Sequence, residues 1–241
     1  MSFRRTFFLT AALVALWVPS ASGQAITEFP VPAGPTRIVA GSDGNLWFGA
    51  SGDKIVRMTT TGSVTEFALP PHFDMTIYGI TAGPDGNVWY VRSRSFLDFE
   101  RDFGRVGRVT PAGVVTEFSF DETLSGITVG PDGNLWFTGS GLSRIHRMTT
   151  GGQLILPSIQ VPGPGRFVLG IAKGSDGNVW YTENALNRIG RVTPAGVISE
   201  FSIPTPSSLP TAITAGSDGN LWFVEGSGNK ISRITPAGVI T

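Results

Sequence analysis

Gly174-Ser175-Asp176-Gly177-Asn178-Val179-Trp180-Tyr181 is one of five copies of the same eight-residue stretch in this chain. The others are Gly41–Phe48, Gly83–Tyr90, Gly130–Phe137 and Gly216–Phe223. Their Trp residues, 47, 89, 136, 180 and 222, are spaced by 42, 47, 44 and 42 residues. A fixed period of this length is the mark of a solenoid or a propeller. Within each copy, Asp-Gly-Asn is a tight-hairpin signal, because Gly supplies positive φ and Asp or Asn tolerates its neighbourhood.

The flanks extend the pattern. A short apolar run precedes each hairpin, as in Gly126-Ile127-Thr128-Val129, and the Leu/Val-Trp-Phe/Tyr strand follows it. A polar segment of variable length leads to a third strand, as in Asn187–Val192. Thr-Pro-Ala-Gly turns the chain at 110–113, 193–196 and 235–238, and a fourth strand such as Val114–Phe118 closes the unit. Four strands per period, with no helical periodicity beyond the N-terminal region, predict an all-β propeller of five four-stranded blades. The two kinds of conserved turn share one face. The segments after Trp and the links between blades share the other, which varies among the copies and is where function is sought. Two segments have the character of a fourth strand without a unit of their own, Ala25–Pro30 and Gly238–Thr241. Either the first completes the last blade of a closed ring of five, or the ring is incomplete. An incomplete ring exposes strand edges and blade faces, which favours self-association.

Composition narrows the function classes. The 241 residues are 41% hydrophobic and 15% charged, a globular balance, and the evenly spread 32 Gly and 17 Pro punctuate many short strands. Lys plus Arg equals Asp plus Glu at 18 each, which gives no electrostatic case for nucleic acid or an anionic membrane. The absence of Cys removes disulfides and thiolate chemistry. At the N-terminus, Arg4-Arg5, an apolar run over Phe7–Val18 and the small residues of Pro19–Gly23 have the order of a secretory signal peptide. The run falls short of the ~20 residues that span a bilayer, so no stable span is expected once it is cleaved. The expected organisation is a signal peptide over 1–23 and one propeller domain over 24–241, in a secreted or periplasmic bacterial protein.

The combination of GPDGNLWF with the NRIGRVTPAGVISEFSIP-type continuation, clearest over Gly174–Pro204 and Gly216–Thr241, resembles the virginiamycin B lyase (streptogramin B lyase) family across about residues 25–241. The resemblance implies a seven-bladed ring with an active site at its centre on the variable face. It also implies a Mg²⁺-dependent elimination that opens a cyclic depsipeptide at its ester. In such a step a base removes a proton α to a carbonyl, a metal polarises that carbonyl and a carboxylate leaves. This chain has five repeats where seven are implied, an export signal, and only two His.

The candidate residues are therefore those at which the copies differ. Glu183 and Glu225 each stand three residues after the repeat Trp, where the other blades carry Ala50, Arg92 and Gly139. As carboxylates of consecutive blades they are the candidate Mg²⁺ ligands, expected near the axis. His72, in the Leu69–Phe73 link, is the candidate catalytic base, since an imidazole titrates near neutrality. His146 replaces a strand Gly and is expected toward the outside of its blade. The stretch 92–103, with three Phe and mixed charge, is expected as a loop over the variable face. The five hairpin Asp residues lie one per blade and read as turn chemistry. Three functions fit these residues: a Mg²⁺-assisted C–O lyase on a cyclic ester or lactone, a non-catalytic propeller that binds a small molecule, cyclic peptide or protein, and a gluconolactonase-like metal hydrolase.

Overall fold

The computed structural model describes residues 26–72, 75–94, 104–163 and 167–241. The segment expected to be a signal peptide and most of the 92–103 insertion lie outside them. Nineteen strands form five antiparallel sheets in chain order. Blade one holds β1 (Thr36–Ala40), β2 (Leu46–Ala50), β3 (Lys54–Met58) and β4 (Val64–Ala68). Blade two holds β5 (Met75–Ala82), β6 (Val88–Arg94), β7 (Gly104–Val109) and β8 (Val115–Phe120). Blade three holds β9 (Leu124–Val129), β10 (Leu135–Gly139), β11 (Arg144–Met148) and β12 (Leu154–Gln160). Blade four holds β13 (Val168–Lys173), β14 (Val179–Glu183), β15 (Arg188–Val192) and β16 (Ile198–Ser202). Blade five holds β17 (Pro210–Ala215), β18 (Leu221–Glu225) and β19 (Lys230–Ile234), and its fourth position carries only the Ile234–Ile240 bridge. No helix of the described residues is long and apolar enough to cross a membrane.

Each residue of the repeated stretch has a task in the β-hairpin. In blade three, Asp132 Oδ1 accepts the Asn134 backbone N–H at 3.2 Å and the Trp136 indole N–H at 2.9 Å, while the Asn134 amide donates to Oδ2 at 2.9 Å. Gly133 has φ 76°. A Cβ on Gly130 would come within 2.2 Å of the Trp136 indole nitrogen, so the first Gly makes room for the ring the Asp holds. The hairpin Asp residues are thus turn anchors. Burial pushes the Asp132 and Asp176 carboxyls up, but the bonds from Asn, Trp and backbone outweigh it and hold both below the ordinary carboxylate value.

The anchored Trp faces the next blade. Trp47 packs with Ile77, Val88, Tyr90 and Val109 of blade two, and Trp180 with Ile213, Leu221 and Phe223 of blade five. A polar contact runs beside each seam: Arg57, Arg147 and Arg191 stack over their own blade's Trp and donate to the carbonyls of Pro111, Pro194 and Pro236 in the next blade's turn. Arg108 does the same to Thr150 at 3.3 Å. Phe67, Phe118 and Phe201 lie on the turn glycines Gly113, Gly152 and Gly238 that follow.

Among the described residues the blades form an open arc. Inner strands pack in the order β1, β5, β9, β13, β17, and no comparable packing joins β17 to β1. At the free end of blade five, Trp222 is 37% and Ile231 71% exposed, although the equivalent Ile55, Ile145 and Ile189 are fully buried. At the other end, Ile38 is 63% exposed, against 6–8% for Ile127, Ile171 and Ile213. The N-terminal segment does not complete blade five. Phe29 lies on Gly62 of blade one and Val31 packs against Phe48, Val56 and Met58, so the segment covers part of blade one's free face as a preceding fourth strand would.

Candidate functional site

The inner strands line an open axial cavity of about 660 Å³ that touches all five blades. Ile38, Ile80, Ile127, Ile171 and Ile213, equivalent residues of the five inner strands, form an apolar girdle around it. Ser125, Thr123, Thr211, Thr214 and Tyr78 add polar groups. Among the described residues of the lining, Arg37 alone is charged. It has φ 39° and donates Nε–H to the Tyr78 carbonyl at 2.9 Å, which fixes it across the first seam.

A second set of polar groups is buried inside the blades. It recurs where the residue three after Trp, the middle of the third strand and the facing residue of the fourth strand meet. In blade two this residue is Arg92, whose guanidinium donates to Glu117 at 2.8 Å, to Asp53 at 2.7 Å and to the Pro70 carbonyl at 2.7 Å. Tyr90 donates its hydroxyl to the other Glu117 oxygen at 2.5 Å. In blade four the same position is Glu183, opposite Arg188, which pairs with Glu200 at 2.7 Å. Among the described residues no hydrogen-bond donor reaches either Glu183 oxygen, the Tyr181 oxygen or Glu200 Oε1, all of them buried. Burial and the Glu200 charge push the Glu183 carboxyl up to about 7 against the pull of Arg188. A neutral Glu183 can supply the missing proton to Glu200, so the pair shares one hydrogen rather than repelling. In blade five Ser232 donates to Glu225. In blade three Gly139 leaves the position empty, and Glu122 fills it from the preceding link to meet His146.

The structure does not bring the three sequence candidates together. His72 lies at the seam of blades one and two, its Nε2 3.7 Å from Glu117 and its backbone N–H on Asp53 at 3.4 Å. Glu183 and Glu225 sit on second strands, buried in their own blades, and neither lines the axial cavity. Arg92, expected in a loop, belongs to β6 and is fully buried. Among the described residues no group of three or more His, Asp or Glu is placed to hold a metal ion. The buried Arg92 and Glu122–His146 arrangements were not read from the sequence. Their signal was present, since Arg92, Gly139 and His146 all depart from the repeat.

Comparison with known proteins agrees with the blade pattern. The sequence matches the virginiamycin B lyase family over residues 19–123 and 97–241. The chain belongs to this family. It is similar to the crystal structure of virginiamycin B lyase from Staphylococcus aureus, with 38% identity and a TM-score of 0.79 over 90% of this chain and 73% of that one. A catalytically inactive His-to-Ala variant of the Staphylococcus aureus lyase, solved with quinupristin, aligns at 37% identity and a TM-score of 0.75, over 86% and 68% of the two chains. A putative gluconolactonase shares the fold alone, at 18% identity and a TM-score of 0.61, over 79% and 70%. No curated protein matches the sequence significantly.

Proposed function

We propose that this family member is an exported propeller that binds a cyclic ester or depsipeptide in its axial cavity. The cavity itself carries the reading. Its girdle of Ile suits the apolar side chains of a macrocycle, and Arg37, Tyr78 and the hydroxyls beside it suit a ring rich in carbonyls. The quinupristin-bound relative supports the ligand class. Export rests on the basic, apolar, small-residue order of the N-terminus.

Lyase chemistry is the second reading, favoured by the family. It requires a base beside the ligand, and neither His72 nor His146 lines the cavity. The candidate Mg²⁺ ligands do not fit the ion. Glu183 is held toward its neutral form, Glu225 is occupied by Ser232, and each is enclosed in its own blade.

Calorimetric titration of the mature protein with quinupristin, followed by chromatography and mass spectrometry of the ligand, separates the readings. Saturable binding with the ligand recovered intact, weakened in Arg37→Ala, is the expected result. A new product of unchanged mass is the signature of elimination, and a gain of one water is that of hydrolysis; either establishes catalysis. Absence of heat and of product overturns both readings for this ligand class.

A further inference from the structure

Blade three contains an arrangement that none of its neighbours has. His146 Nε2 lies 2.7 Å from Glu122 Oε1, and its Nδ1 lies 2.8 Å from the Ser158 hydroxyl. Three departures from the repeat create it. His146 stands in β11 where blades two and four have Gly107 and Gly190. Gly139 is required, because a Cβ there would lie 2.0 Å from Glu122 Oε2 and 3.0 Å from His146 Nε2. Ser158 faces the ring from β12, on the strand where blades two and four carry Glu117 and Glu200.

In the neutral tautomer with the proton on Nε2, the ring donates to the Glu122 carboxylate, and Nδ1 is left to accept from the Ser158 hydroxyl. The ring is clamped by Phe137, stacked at 5.2 Å, and by Phe120 at 5.7 Å. Glu122 and His146 are buried, while Ser158 is half-buried and flanked by the exposed Leu156 and Pro157. A base held by a carboxylate and hydrogen-bonded to a hydroxyl near solvent is the arrangement that activates a serine.

We propose that Ser158 is a nucleophile, with His146 as its base and Glu122 as the residue that positions the base, and that it accepts acyl groups from small carboxylic esters. Ser158 Oγ bonds to the ester carbonyl carbon as its proton passes to Nδ1. The carbon–alkoxide bond breaks and the alcohol leaves with that proton. A water, deprotonated by the same nitrogen, then bonds to the acyl carbon; the bond to Ser158 Oγ breaks, Oγ takes that proton back from Nδ1, and the acid is released. This site is separate from the axial cavity and does not depend on the ligand proposed for it.

The test is labelling of the mature protein with a fluorophosphonate, read by intact mass and peptide mapping, beside turnover of p-nitrophenyl acetate. One adduct on Ser158, absent in Ser158→Ala with an unchanged melting temperature, is expected. Glu122→Gln should slow labelling at least tenfold and shift its pH profile, which a merely structural carboxylate would not do. No adduct on the folded wild-type protein, an adduct elsewhere, or equal labelling of Ser158→Ala overturns the proposal.

Discussion

Glu183 and Arg92 occupy equivalent places in blades four and two and carry opposite charges. Arg92 meets two carboxylates, so its blade holds a hydrogen-bonded network, whereas Glu183 meets Glu200 and leaves several oxygens without donors. The folded carboxyl titrates near 7 and the ordinary value is 4.5. The folded state therefore binds the extra proton, and stability from this group is full below the ordinary value and is lost as pH rises through about 7. Glu183→Gln places an amide N–H where Glu200 lacks a donor. Its melting temperature should exceed wild type by about 2–4 °C at alkaline pH, corresponding to ~1 kcal/mol, and match it in mild acid. Differential scanning calorimetry across neutrality checks this, and an equal shift at both ends would refute it. The hairpin carboxyls act in the opposite direction. Held below the ordinary 3.8, Asp132 and Asp176 stabilise above that value and cease to do so as pH falls through their own lower values.

At the scale of the strand, blades with Tyr after Trp have Gly across the sheet, and blades with Phe do not. A Cβ on Gly107 or Gly190 would lie 2.0 Å from the Tyr90 or Tyr181 ring, while Phe48, Phe137 and Phe223 face Val56, His146 and Ser232. Gly190→Ala should cost about 1–3 kcal/mol by overpacking, measured by urea unfolding, and Tyr181→Phe in the same chain should recover part of the loss. No recovery would show that the hydroxyl is not what needs the room. Much of this was legible beforehand. The hairpins and the Thr-Pro-Ala-Gly turns follow from local chemistry, and even the Tyr–Gly pairing can be read from the five copies once they are aligned. The polar groups of the blades were not legible. They depend on which residue faces which across two strands, and Glu122 reaches its partner from a link of no fixed register. The expectation that Glu183 and Glu225 would stand near the axis had the same weakness, because the repeat gives a residue's strand but not the depth of its side chain.

For the molecule as a whole, the two free faces dominate. Trp222, Val224 and Ile231 at one end stand at positions that every internal seam buries, and Ile38 at the other stands at one buried in blades three to five. Exposed patches of this kind promote association. The mature protein, whose monomer is lighter than the 25.5 kDa of all 241 residues, is expected to run above its monomer mass in light scattering. Ile231→Lys should shift it toward the monomer while leaving the blades folded by circular dichroism. A monomeric wild type would show that the faces are tolerated in water.

The row of seams between neighbouring blades has one more consequence. Each described blade is held by the one before and the one after it in the chain, and among the described residues no packing comparable to these seams ties the two ends. Such a molecule distributes its stability like a short stack of tiles. Loosening blade three breaks two seams and severs the arc, whereas loosening blade five breaks one and leaves four blades standing. Damage at an end shortens the folded object, and damage at the middle divides it.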